Sequence, residues 1–166
     1  DPSYLSKQHV LPDYLASTDP TSLPRLQAEY VAFAMHRQFF DQLRLIDISG
    51  REVVRVDRTG DTAAVAPPDQ LQNRADELYA KEALKLDRGQ TYVSDLELEA
   101  EQGTIAQPIK PTLRVAIPVF DAAGTKRGII VINYRSQRIL DRVSELRDAV
   151  ADIWIVNAQG YWILGP

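Results

Sequence analysis

The chain has 166 residues, enough for one domain with a hydrophobic core, and its 45% apolar and 25% charged content is that of a folded globular chain and not a disordered one. A net charge of −4 leaves no basic footprint for nucleic-acid phosphates and disfavours an anionic membrane surface. The absence of cysteine removes disulfides, thiolate nucleophiles and thiolate metal sites together.

Leu5, Val10, Leu11, Tyr14 and Leu15 surround Pro12, which predicts a helix interrupted or restarted near the proline. Asp19-Pro20-Thr21-Ser22 is a helix-start signal, and the helix is expected to run to about Gln38 with Leu26, Tyr30, Phe33 and Ala34 on one face. Strand formers at 39–47, a Gly50 turn and a second run at 52–57 predict a β-hairpin. Residues 58–73 read as a loop, with paired prolines and no period. Helical spacing returns over 74–87, closed by Gly89. A strand is expected over 91–96, followed by an acidic, proline-containing excursion over 97–111. The runs 112–120 and 127–134 form the clearest hairpin in the chain, and Ser136 is placed to cap a helix bearing Ile139, Leu140, Val143, Leu146 and Val150. Residues 153–164 repeat the layout of 43–56: strand, polar turn with glycine, strand.

This order predicts an α+β fold: a central antiparallel sheet of about five strands with flanking helices and a long N-terminal helix. No glycine-rich phosphate loop is present. Only His9 and His36 are available for imidazole chemistry, and nothing places two carboxylates across a cleft, so the chain is expected to be no enzyme, with no cofactor and no metal. No apolar run reaches the ~18 residues of a membrane span. The chain opens at Asp1-Pro2 and stops at Gly165-Pro166 within a strand-like pattern, as expected of a segment cut from a longer protein.

Several stretches together resemble the membrane-distal half of a double Cache (double PDC, PAS-like) sensor domain of bacterial histidine kinases, diguanylate cyclases and chemoreceptors. They are 41–47 with 50–57, Leu71-Gln72-Asn73, 92–98 to Glu101, 108–114, and Pro118-Val119-Phe120-Asp121 leading through Gly124 to 128–134. The resemblance covers roughly residues 20–150 and departs from the pattern at Glu99 and Ala106. It implies an N-terminal helical segment (1–38), a distal sensor domain (39–150) and the start of a second, membrane-proximal domain (151–166). It further implies a periplasmic setting between two membrane helices, with a small-molecule ligand bearing a carboxylate or an amine, and a homodimer in the whole receptor. The other reading of such a domain is a structural or partner-binding module without a ligand.

The ligand candidates follow from strand alternation. Arg114, Ala116 and Pro118 share the face opposite Leu113, Val115, Ile117 and Val119. Arg114 among small residues suits an anionic group; equally, it can pair with an acid to steady the loop at 97–107. The resemblance puts Tyr92, Ser94 and Asp95 near the pocket, Asp95 either gripping a ligand amine or bonding its own turn. Arg55 and Asp57 face one side, as an exposed ion pair or as ligand contacts. Tyr134 is a core or rim aromatic. Glu97, Glu99 and Glu101 alternate, which offers calcium-type oxygens but without the spacing of a calcium loop, so a solvated charge run is the better reading.

Overall fold

The computed structural model describes residues 10–16, 19–37, 39–98, 100–101, 104–105, 111–150, 153–156 and 162–164. Among the described residues there are four α-helices, α1 (Val10–Ala16), α2 (Ser22–Met35), α3 (Leu78–Lys85) and α4 (Gln137–Val150), and a 3-10 turn at Pro68–Gln70. Pro12 falls in the first turn of α1, where its missing N–H costs nothing. The turn before α2 is held by Asp19, whose carboxylate accepts the Thr21 N–H (2.9 Å) and hydroxyl (2.7 Å).

The main sheet has seven strands, all pairing antiparallel. They are β1 (Phe40–Asp47), β2 (Glu52–Thr59), β3 (Thr62–Val65), β4 (Tyr92–Val93), β5 (Glu97–Leu98), β8 (Pro111–Phe120) and β9 (Lys126–Arg135). Their order is β3-β2-β1-β9-β8-β4, with β5 paired to the start of β8. The two expected hairpins, β1–β2 and β8–β9, supply its four long strands.

The count exceeds the expected five for two reasons. Thr62-Ala63-Ala64-Val65 is short, with two alanines between its β-branched ends, yet it pairs along β2 with Val65 opposite Val56. The strand expected over 91–96 shortens to β4, and the acidic excursion expected from residue 97 opens with a further strand, β5. Two short pairs complete the chain: β6 (Ala100–Glu101) with β7 (Thr104–Ile105), and β10 (Ile155–Val156) with β11 (Trp162–Leu164). Gln38, Glu99, Ala106 and the turn at 157–161 lie outside the described residues.

Both faces of the sheet are covered. On the first, Leu43, Leu45, Val54, Val56, Ile117, Val119, Ile130 and Ile132 pack against Leu11 of α1 and Leu26, Tyr30 and Ala34 of α2. On the second, Ile46, Ala116, Ile129 and Val131 pack against Tyr79, Ala80 and Ala83 of α3. The helices thus flank the sheet, as expected. Alternation explains it, since β9 is apolar at odd and even positions alike from Ile129 to Ile132.

Tyr30 is fully buried and its hydroxyl has no partner among the described residues. Burial, with Glu29 and Tyr14 adding to it, pushes its phenol far above the ordinary tyrosine value of 10.0. A raised pKa in the folded state contributes stability that is whole below the unfolded value and lost above it. The melting temperature is therefore expected to hold to about pH 10 and then fall, Tyr30 alone removing about 1.4 kcal/mol per pH unit. Tyr30→Phe is expected to flatten that fall. Melts between pH 8 and 11 check this, and an unchanged slope in the variant would count against it.

Candidate functional site: a buried arginine cluster

Strand register aligns polar residues in rows across the second face. Arg114 of β8 lies beside Asn133 of β9, Asn133 beside Gln42 of β1, and Gln42 beside Asp57 of β2. The next row is Tyr92, Ala116, Val131, Arg44 and Arg55. The third holds Pro118, Ile129, Ile46 and Glu52.

Glu52 reaches this face through a bulge. Leu45 pairs with Val54 but Ile46 pairs with Glu52, so β2 carries one extra residue there. Without it, Glu52 would share the face of Val54 and point into the apolar core; with it, Glu52 stands beside Arg44 and Arg55. Its side chain is fully buried and serves three guanidinium groups: Arg44 Nε at 3.0 Å, Arg74 Nε at 3.1 Å and Arg55 Nη1 at 3.5 Å. Its second oxygen also accepts the Gln72 N–H at 3.0 Å.

Arg74 comes from the segment before α3, where the sequence predicts helix. That segment is stitched to the β1–β2 turn: Glu52 N–H donates to Gln72 O (2.9 Å) and Arg74 N–H to Gly50 O (2.7 Å). Asn73 Oδ1 accepts the Ala75 N–H at 2.9 Å, and Glu77 is extended (ψ 135), so α3 starts only at Leu78. At the other end of α3, Lys126 donates to Leu84 O at 2.8 Å. The helix thereby holds Tyr79 over the sheet, with the Arg114 guanidinium 5.1 Å from its ring centre.

Two amides orient Arg44. Its Nη1 donates to Asn133 Oδ1 at 3.0 Å and its Nη2 to Gln42 Oε1, which also accepts from Asn133 Nδ2 at 3.0 Å. Burial pulls the Arg44 guanidinium below its ordinary value; Arg74 and Arg114 add to this, while Tyr79 and Glu52 oppose it. Burial raises the Tyr79 phenol against the pull of Arg44, Arg74 and Arg114. For Arg74 burial acts downward, but Tyr79, Glu52 and Glu77 outweigh it and the net shift is upward.

The cluster is not internally satisfied. Arg44, Arg74, Arg114 and Tyr79 are 3%, 4%, 8% and 4% exposed. Yet Arg44 Nε, Arg74 Nη2, Arg114 Nε and the Tyr79 hydroxyl have no hydrogen-bond partner among the described residues. The 3.0 Å contact of Arg44 Nε with Glu52 is an ion pair without hydrogen-bond alignment. Buried donors left unmet are costly, and four of them in one cluster form a set of groups able to receive an anion.

Of the residues singled out from sequence, Arg114 belongs to this cluster, and Glu97 of the acidic run forms an ion pair with its Nη1. The acid–arginine pairing thus exists, and Glu97 is no freely solvated charge. Tyr92 lies half-buried on the same face beside Ala116. Ser94 is buried; its hydroxyl accepts the Arg114 N–H at 2.9 Å and donates to Asp95 O at 2.7 Å, which pins the sheet edge. Asp95 itself is exposed.

Arg55 and Asp57 do pair, at 3.0 Å, but Arg55 is buried rather than exposed because Gln70 O and Glu52 enclose its guanidinium. Tyr134 stands opposite Phe40 and packs into the first core, across the sheet from the cluster. Alternation along β9 keeps it there while Asn133 faces the arginines, and the irregularity in register between Phe40 and Gln42 brings Phe40 to the same side. Gln42, Arg44, Glu52, Arg74 and Tyr79 were not among the sequence candidates. The polar pair Gln42 and Arg44 next to Leu43 and Leu45 in β1 was the available signal.

The comparisons agree with this architecture. The description "Bacterial histidine kinase, sensor domain" matches residues 3–166. A domain of a sensory box/GGDEF family protein from Vibrio parahaemolyticus superposes with a TM-score of 0.79 at 26% identity, over 98% of this chain and 61% of that one. A histidine kinase extracellular domain gives 0.78 at 26%, over 98% and 58%. The ligand-binding domain of the Pseudomonas aeruginosa chemoreceptor PctC, in complex with GABA, shares the fold (TM-score 0.59, 18% identity, 99% and 64% covered). The chain thus spans about three fifths of the solved domains it matches. None of the curated proteins matches it. With a profile match over nearly its whole length and an α+β sheet of the PAS-like sensor type, the chain belongs to the family of bacterial histidine kinase sensor domains.

Proposed function

We propose that the chain is the membrane-distal, ligand-sensing part of an extracytoplasmic receptor domain, and that it binds a small molecule at the arginine cluster on the second face of the sheet. The observation that carries this reading is the set of buried, unpartnered donors on Arg44, Arg74, Arg114 and Tyr79. Residues 39–150 form the sensing domain in this reading, and 151–166 begin a membrane-proximal one. A periplasmic setting and a homodimer in the whole receptor go with it. Chemoreceptor domains of the same fold, solved with L-valine and with GABA, support the ligand-binding role.

A route for the signal runs along β9. Asn133 touches Arg44 at the cluster; two residues on, Arg135 pairs with Asp41, and Ser136 N–H donates to Pro111 O at 3.0 Å. The Ser136 carbonyl accepts the Leu140 N–H at 3.1 Å, which starts α4. A ligand that shifts Asn133 moves the base of that helix, and it can bias signalling only by its differential affinity for the two positions.

A thermal-shift screen with amino acids, organic acids, amines and purines tests the proposal. A ligand at 100 times its Kd adds about 2.7 kcal/mol, roughly 5–11 °C for a chain of this size. At least one hit is expected, and Asn133→Ala is expected to weaken it. A broad library without a hit would point to a structural or partner-binding module.

A further inference from the structure

Every guanidinium of the cluster has an acid beside it. Glu52 lies against Arg44, Asp57 against Arg55, Glu77 against Arg74 and Glu97 against Arg114. Counted over these eight side chains the cluster is neutral, although donors on Arg44, Arg74, Arg114 and Tyr79 stay unmet. A carboxylate added to it as it stands brings a surplus negative charge to a poorly solvated place. A carboxylate that replaces one of the four acids brings none.

The four acids differ in how firmly they are held. Glu52 is fully buried and serves three guanidinium groups. Asp57 is fixed through its backbone, which pairs with Gln42 of β1 on one side and Ala64 of β3 on the other. Glu77 is looser, 3.6 Å from Arg74 with its side chain 49% exposed. Its departure opens no seat, because Arg74 keeps Glu52 at 3.1 Å. Glu97 is the sole acid paired with Arg114 among the described residues, and its side chain is 39% exposed. Its strand, β5, has two residues and pairs with β8 alone, Glu97 opposite Thr112 and Leu98 opposite Pro111.

Arg114, by contrast, is fixed on both sides. Asn133 of β9 flanks it, the Ser94 N–H donates to its carbonyl at 2.9 Å, and its own N–H donates to the Ser94 hydroxyl. Glu97 bonds its Nη1 and leaves its Nε without a partner. A carboxylate not tethered to a strand can engage a guanidinium by two parallel bonds. Release of β5 also reaches α4: Pro111, opposite Leu98, accepts the Ser136 N–H at 3.0 Å.

We infer that Glu97 is an internal stand-in for a ligand carboxylate: it holds the seat on Arg114 until a carboxylate-bearing ligand displaces it and releases β5 from the start of β8. The inference rests on the ligand-binding reading of the cluster and deepens it, naming the group that enters and the acid that leaves.

Nitrogen-15 NMR on the purified chain tests this with propionate, and with propionamide as its uncharged analogue, at constant ionic strength. Propionate is expected to shift Arg114 Nε together with the backbone amides of Glu97, Leu98 and Ser136. Propionamide is expected to leave them in place. In Glu97→Gln, propionate is expected to bind about 10-fold or more tightly, because its competitor has lost its charge. Glu82→Gln removes the same charge from α3, where Glu82 pairs with Lys85 at the surface. It is expected to change the affinity less than about 2-fold. Combining Glu97→Gln with Arg114→Gln, which removes both charges of the pair, is expected to abolish the gain.

Equal gains in the Glu97 and Glu82 variants would reduce the effect to net charge and overturn the exchange. A shift of Arg114 Nε without any at Glu97 and Leu98 would overturn the displacement of β5. If propionate shifts nothing in any of these chains but the broad screen yields a hit that Asn133→Ala weakens, the exchange fails and the sensing role stands. If nothing binds in either experiment, both fail.

Discussion

Glu52→Gln is expected to destabilise the chain by about 3–5 kcal/mol, lowering its melting temperature by roughly 6–20 °C. The substitution keeps the shape of the side chain and removes one charge. That charge is the buried counter-ion to Arg44 and Arg74 and the third neighbour of Arg55. Removing it leaves guanidinium groups that are at most 5% exposed without a buried acid. The cost arises from uncompensated charge in a poorly solvated place, not from the loss of an attractive pair.

Glu97→Gln makes the comparison. Glu97 also pairs with a buried arginine, but its own side chain is 39% exposed, so its loss is expected to cost no more than about 1 kcal/mol. The Glu52→Gln chain is also expected to gain more from added salt than the parent does, since salt screens the repulsion among the arginines that Glu52 no longer offsets. Thermal and urea melts measure all three effects. A loss below 1 kcal/mol for Glu52→Gln would mean that the arginines find another counter-charge.

How far the site was legible follows from where each member comes from. Arg114 lies in a regular strand, and simple alternation puts it opposite Ile117 and Val119, where it is found. The hairpins around it, β1–β2 and β8–β9, were readable for the same reason: their periods and turns are local. Glu52 was not readable. Counting by twos from Val54 assigns it to the apolar face, and only the extra residue in β2 reverses that assignment. A bulge is a property of strand pairing, so it leaves no mark in the strand's own sequence.

Arg74 was hidden differently. Its neighbours have helical spacing, but the hydrogen bonds that join Gln72 to Glu52 and Arg74 to Gly50, twenty or more residues away, keep the chain out of the helix. Tyr79 looked like core, and it is core; what turns it into part of a site is that the Arg114 guanidinium lies against its ring and the charges of Arg44 and Arg74, from other elements, act on its phenol. Arg44 could have been found, because a charged residue between Leu43 and Leu45 in a central strand must have a buried partner. The local grammar of strands and turns was thus visible, and the long-range pairings that assemble charge were not.

The position of Arg74 depends on Gly50, and this gives the second large expected effect. Gly50 has φ +84, and a Cβ there would sit 2.5 Å from the Ala75 Cα and 2.6 Å from the Ala75 nitrogen. Gly124, in the β8–β9 turn, has nearly the same conformation (φ +83) with nothing within 4 Å of its Cβ position. The two therefore separate backbone strain from collision. Gly124→Ala is expected to cost about 1–2 kcal/mol, the penalty of a side chain in the left-handed region.

Gly50→Ala carries that penalty and must also displace backbone at Ala75, for a total of about 2–5 kcal/mol. The displaced segment holds the Arg74 N–H bond to Gly50 O, so Arg74 moves away from Glu52 with it. Equal losses in the two variants would show that the 72–75 segment yields freely, and then the turn could not be what positions Arg74. Unequal losses, accompanied in Gly50→Ala alone by weaker binding of whichever ligand the thermal screen identifies, would tie the close packing of one glycine against one alanine to the assembly of the arginine cluster.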